Sequence, residues 1–292
     1  MAGLLLWSGT LGRASFEERL AAAAAAGYAS LSVFPWDCRA EGERRSRARE
    51  LRRRAGEAGV ALAVLDPLSE WLPGWKAPTS RGALSDEQLA YATLFAAYGA
   101  DECLDLAGEL GCGLVSAIEP YGTPVPADLG AEAFARLCDA AGERGLRAQL
   151  EFMPMSGIPD LAAAWEIVRR AGRANGGLLL DTWHFARSRS SPALLAAIPE
   201  GRVFSLQISD APLTPASDAW HETAHGRRLP GEGELDLAGV LALLGPGRRA
   251  LPQGPEVCAD ALSALSPPEA ARRAAAATQR LLAQIDGGPP AR

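Results

Sequence analysis

The feature that most constrains this chain is a regular exchange between short, apolar, β-prone runs and longer helical ones, kept up from one end to the other. The strand-like runs cover residues 4–7, 30–34, 60–65, 113–118, 146–150, 177–180, 203–208 and 254–258. The helical runs cover 16–26, 44–58, 85–110 with a break expected near Gly99, 131–143, 160–170, 191–198, 235–244 and 268–285. Ser15 with Glu18, and Ser85 with Gln88, have the spacing of capping boxes. Pro268 falls in a first helical turn, where its missing N–H does no harm.

Strands separated by helical crossovers return in the same direction and pair in parallel. Eight βα units in 292 residues fit an α/β chain folded as a (β/α)8 TIM barrel, one domain over residues 1–285 with a frayed tail at 286–292. An open doubly wound sheet is the competing arrangement. The first strand run is followed by WSGTLGRAS, which lacks the G-x-G-x-x-G spacing of that class.

Four of the later runs share a property that packing alone does not explain. LRAQL ends on Glu151, GLLL ends on Asp181, VFSLQISD carries Gln207 near its end, and GPEVC carries Glu256. A buried strand that stops on a carboxylate is costly unless the carboxylate has a partner. In a parallel barrel all strands end at one face, where catalytic groups collect. The period of two can be applied to the same runs. With Glu151 inward, Gln149 and Arg147 are inward too, and Leu146, Ala148 and Leu150 face the helices. With Gln207 inward, so are Ser205 and Val203, leaving Phe204, Leu206 and Ile208 outward. Three carboxylates held together repel, and a divalent cation resolves the conflict. Oxygen donors favour Mg²⁺ or Mn²⁺, ahead of Co²⁺ or Zn²⁺.

Bulk properties remove other classes. A net charge of −6 argues against a nucleic-acid partner, which calls for a basic footprint. No apolar run approaches the roughly 20 residues of a spanning helix, so no membrane partner is expected. MAGLLLWSG lacks the basic start and long apolar core of a signal peptide. Five cysteines without a CxxC pair read as reduced thiols, which suits a cytoplasmic protein.

At LEFMP, LLLDTWHF, LQISDA, RRLPGEGELDL and GPEVC the chain resembles the xylose-isomerase-like TIM-barrel superfamily of sugar phosphate isomerases and epimerases, whose members include inosose and 3-dehydroshikimate dehydratases. The matching segments lie in the C-terminal half; the N-terminal half shares only the βα rhythm. The resemblance implies that Glu151, Asp181, Gln207 and Glu256 are metal ligands. Gln207 replaces the His of most relatives, three residues before Asp210. It further implies that His184 touches a substrate oxygen and that Arg228 anchors the substrate.

The activity so implied is metal-dependent isomerisation or epimerisation of a keto-sugar or polyol. Glu151 and Glu256 would move a proton beside a carbonyl through a metal-stabilised enediolate. If a β-hydroxyl leaves instead, the same intermediate gives a dehydratase, with His184 as acid. A non-catalytic binding barrel is a more distant alternative. The DNA-repair endonucleases of this superfamily hold three zinc ions with many histidines, and this chain has three in all. His221 and His225 lie in the 211–228 segment, which is long enough to close over a substrate. Barrels of this kind often assemble as dimers or tetramers, and no surface patch in the sequence decides whether this one forms a homo-oligomer.

Overall fold

The structure is a computed structural model that describes residues 3–39, 43–74 and 85–287. Each expected strand run carries a strand: β1 (Leu5–Leu6), β2 (Ser30–Val33), β3 (Ala61–Leu68), β4 (Leu114–Ala117), β5 (Arg147–Leu150), β6 (Gly176–Asp181), β7 (Val203–Ile208) and β8 (Gln253–Pro255). They form one sheet in the order β1 to β8, with all seven neighbouring pairs parallel. β8 also approaches β1. A Cβ on Gly254 would lie 1.7 Å from the Leu5 carbonyl oxygen, so only glycine allows that approach. The Trp7 indole donates to the Leu206 carbonyl at 2.9 Å. The Thr10 hydroxyl donates to the Pro255 carbonyl at 2.8 Å and accepts from the Val257 amide at 3.1 Å.

The helices of the outer layer are α1 (Phe16–Ala25), α2 (Arg44–Glu57), α3 (Asp86–Phe95), α4 (Ala100–Leu110), α5 (Ala127–Glu143), α6 (Leu161–Ala171), α7 (Thr182–Arg187), α8 (Pro192–Ala197), α9 (Ala219–His225), α10 (Leu237–Leu243), α11 (Asp260–Ser263) and α12 (Pro267–Gly287). Both expected capping boxes form, at Ser15 and Ser85. The 85–110 run divides at Gly99, which caps α4. The alanine run 21–26 lies in and just after α1, whose Ala22 and Ala23 are fully buried where α1 packs on α12. Of the expected tail, Asp286 and Gly287 belong to α12, and 288–292 lie outside the described residues.

Inside the barrel the side chains form layers along the strand direction. Leu5, Trp7, Val64, Leu114, Leu179 and Phe204 make an apolar layer. Above it Ser116, Gln149 and Ser205 are joined by hydrogen bonds. Leu146, Ala148, Leu150, Leu206 and Ile208 join the outer core between sheet and helices, as the alternation requires. One part of that pattern is overturned: Phe204 points inward and Val203 outward. The β6–β7 register pairs Leu178 with Val203 but Leu179 with Ser205, which inserts one residue into β7. Gly177 provides the room, since a Cβ there would lie 2.7 Å from the Phe204 ring.

Candidate metal centre

Each of the last four strands delivers one oxygen-bearing side chain to the same mouth. Glu151 follows β5, Asp181 ends β6, Gln207 lies one residue before the end of β7, and Glu256 follows β8. Asp181 and Gln207 are register partners. Glu151, Asp181 and Gln207 are buried, and Glu256 is half-buried.

His184 reaches the mouth through local structure. The Asp181 carboxylate accepts a 2.8 Å hydrogen bond from the His184 amide and caps α7. One helical turn then returns His184 to the side of its cap. Its Nε2 lies 3.4 Å from Glu151 Oε1. Glu151, Asp181 and His184 each offer a ligand atom, and these atoms lie within 4.8 Å of one another.

The cation among these acids is Arg227, which sequence reading passed over. Its Nη1 is 2.6 Å from Asp181 Oδ2 and 3.7 Å from Glu256 Oε2. Its Nη2 is 3.3 Å from His184 Nε2. Arg228, the expected anchor, is exposed and does not line the cavity. The reason is strand-like pairing. Arg228 exchanges backbone hydrogen bonds with Asp210 at 2.7 and 2.9 Å, and in extended chain adjacent side chains point to opposite sides. Asp210 is itself structural. Its carboxylate accepts from the amides of Gly231, Gly233 and Leu235, each at 3.0 Å, and so shapes the Pro-Gly-Glu-Gly loop.

A fourth carboxylate went unread in the sequence. β3 continues through Asp66-Pro67, and Asp66 is buried on the cavity floor. Burial, and then the charges of Asp66, Glu256 and Asp181, push the Glu151 carboxyl well above the usual range. Burial, and then Asp66 and Asp181, raise Glu256 despite the Arg227 charge. Burial pushes Asp66 up to about 7. Burial would raise Asp181 as well, but Arg227 and the His184 contacts outweigh it and hold this carboxylate low. Burial drives His184 down to about 4, so its imidazole is neutral at neutral pH.

The donor set fits a hard divalent cation. It holds three carboxylates and one amide, and Gln207 Oε1 is buried without a hydrogen-bond partner among the described residues. Such an orphan acceptor is costly unless something occupies it. Carboxylate oxygens already bonded to Arg227 and the His184 amide keep a second lone pair.

Above this floor lies a cavity of about 430 Å³, within the range of small-molecule sites. Its wall is aromatic. Phe34 and Trp36 stack at 4.5 Å, Phe95 lies 5.8 Å from Trp36 and from Tyr91, and Tyr91 meets Trp220 edge-on at 5.9 Å. Trp7 and Trp183 are packing residues, fully buried. Tyr121 bonds Glu70 at 2.8 Å and lines a smaller adjoining pocket instead of this cavity. Glu119 accepts from the Tyr121 and Gly122 amides and organises its own loop. In the 211–228 segment, His221 is exposed, and His225 lines the cavity while bridging Glu87 and Asp260, each at 3.1 Å.

Comparison with known proteins agrees with this fold. The model of the Xylose isomerase-like TIM barrel family matches residues 20–281. A 3-dehydroshikimate dehydratase of Pseudomonas aeruginosa is 31% identical over 242 residues, 80% of this chain and 34% of that protein. The chain thus spans about a third of that relative's length. An inosose isomerase of Bacillus velezensis is 31% identical over 116 residues, 39% of this chain and 40% of that one. The crystal structure of IOLI protein with a binding zinc atom superposes with a TM-score of 0.77, at 19% identity, over 97% of this chain and 99% of that one. No helix among the described residues is long and apolar enough to cross a membrane.

Proposed function

The chain belongs to the xylose isomerase-like TIM barrel family, and from that premise we propose that it is a divalent-metal-dependent lyase removing water from a cyclic β-hydroxy ketone. The observation that carries this reading is the cavity itself: a metal-fitting floor under an aromatic wall of Phe34, Trp36, Tyr91 and Phe95. A flat ring with one chelating edge matches those surfaces better than an open-chain polyol does. Likeness to the Pseudomonas aeruginosa dehydratase over four-fifths of this chain favours the lyase over the isomerase that the motifs put first.

Glu151, Asp181, Gln207 and Glu256 would hold the cation, Mg²⁺ or Mn²⁺ by donor type. When bound, it supplies positive charge to the substrate carbonyl and so acidifies the neighbouring C–H bond. Glu151 takes that proton, and the C–H electrons become the new C=C bond. The C–O bond at the β carbon breaks, and its electrons leave with the hydroxyl. His184 Nε2, 3.4 Å from Glu151, lies where the captured proton must pass to leave with that hydroxyl as water. Being neutral, His184 hands on a proton rather than storing one. Arg227 keeps Asp181 ionised and fixed.

Incubating the Mn²⁺-loaded protein with 3-dehydroshikimate tests the reading. Appearance of the ultraviolet band of protocatechuate supports it. No such band, together with solvent deuterium entering a recovered inosose or ketose, gives the isomerase reading instead. That second reading is favoured by one observation, the pairing of Glu151 and Glu256 at the same mouth.

A further inference from the structure

We propose that Asp66 is a further substrate-contacting residue, a carboxylate that accepts a hydrogen bond from a substrate hydroxyl beside the metal-binding side chains. This rests on the reading of the cavity as the substrate site given above. Asp66 comes from β3, whereas the four expected ligands come from β5 to β8. It lines the same cavity, its residue is 6% exposed, and its Oδ1 is buried without a partner among the described residues.

The barrel interior dictates what this carboxylate can do. The Ser205 hydroxyl donates to Gln149 Oε1 at 2.8 Å, which fixes the orientation of that amide. Gln149 Nε2 then donates to Ser116 Oγ at 2.9 Å. With its oxygen taken up, Ser116 has its own hydrogen to give, and Asp66 is the acceptor it stands beside. The chain Ser205 to Gln149 to Ser116 to Asp66 therefore runs in one direction across the barrel. Residue 66 must present an acceptor to Ser116, and a carboxylate keeps a second acceptor, Oδ1, that no described residue satisfies. A substrate hydroxyl is the donor that completes the chain.

This polarity gives an unusual prediction for Asp66→Asn. The asparagine carbonyl has to meet Ser116, so its NH₂ is what faces the substrate, a donor where an acceptor is needed. We expect D66N, though isosteric, to lose about 10- to 100-fold in kcat/KM with 3-dehydroshikimate, at least as much as D66A. Adding S116A to D66N removes the constraint and lets the amide turn, so the double variant regains at least threefold over D66N. Mn²⁺ affinity and melting temperature of D66N stay near wild type. A D66N enzyme within threefold of wild type overturns the proposal, as does a double variant no better than D66N. Loss of Mn²⁺ binding in D66N also overturns it, since Asp66 would then be a ligand. A Mn²⁺-loaded wild-type protein that neither binds 3-dehydroshikimate by calorimetry nor converts it overturns the parent reading, and this assignment with it. Binding without conversion overturns the lyase alone and leaves Asp66 to be judged from the affinities of the same variants.

Discussion

Gln207→Leu should stabilise the metal-free protein while weakening its grip on metal. The Gln207 side chain is 1% exposed, and its Oε1 has no partner among the described residues. An unsatisfied buried carbonyl costs about 1–3 kcal/mol. Leucine is one bond shorter but still apolar and branched, with no polar atom to leave unpaired. In a chain of this size each kcal/mol moves the melting temperature by about 2–4 °C, so Q207L should melt about 2–12 °C higher in EDTA. The same change removes one of four oxygen ligands, so Mn²⁺ affinity should fall about tenfold or more. Scanning calorimetry in EDTA and titration calorimetry with Mn²⁺ read the two effects separately. A Q207L protein that melts lower than wild type in EDTA, or binds Mn²⁺ as tightly, refutes the reasoning, because the amide would then be a satisfied core group.

Two further outcomes follow from the same geometry. Asp181→Ala leaves Arg227 buried beside Glu256 alone and removes the cap of α7, so it should cost about 3–5 kcal/mol in urea unfolding. His225 is held above its ordinary value of 6.5 by its hydrogen bond to Asp260, and further by Glu87, with His221 stacked beside it and Arg13 facing Asp260. A raised folded value means this contact stabilises fully below the unfolded pKa and fades as pH rises through the folded one. The protection factors of amides in residues 219–225, which divide out the base catalysis of exchange, should therefore fall from pH 6 to pH 8, and a His225→Gln variant should show no such trend.

Much of this was legible because a parallel barrel repeats one rule eight times. Period and capping located the strands and the two boxes at Ser15 and Ser85, and the carboxylate at a strand end marked Glu151 and Asp181. Phe204 escaped because a single inserted residue in β7 reverses the alternation, and nothing local announces it. Asp66 escaped although AVLDP shows the same apolar run ending on an acid. Pro67 suggested a loop there, whereas β3 carries the proline to Leu68. Arg227 was displaced by its neighbour because two adjacent arginines look alike until backbone pairing with Asp210 decides which one turns inward. α9 gave no sequence signal beyond Asp218 as its cap.

Anomalous diffraction from a crystal of this protein soaked in Mn²⁺ tests the shared-cation account most directly. The account predicts one ion at the barrel mouth, bonded at about 2 Å to oxygens of Glu151, Asp181, Gln207 and Glu256. No ion at that mouth, or one that leaves Gln207 Oε1 without a bond, would contradict it.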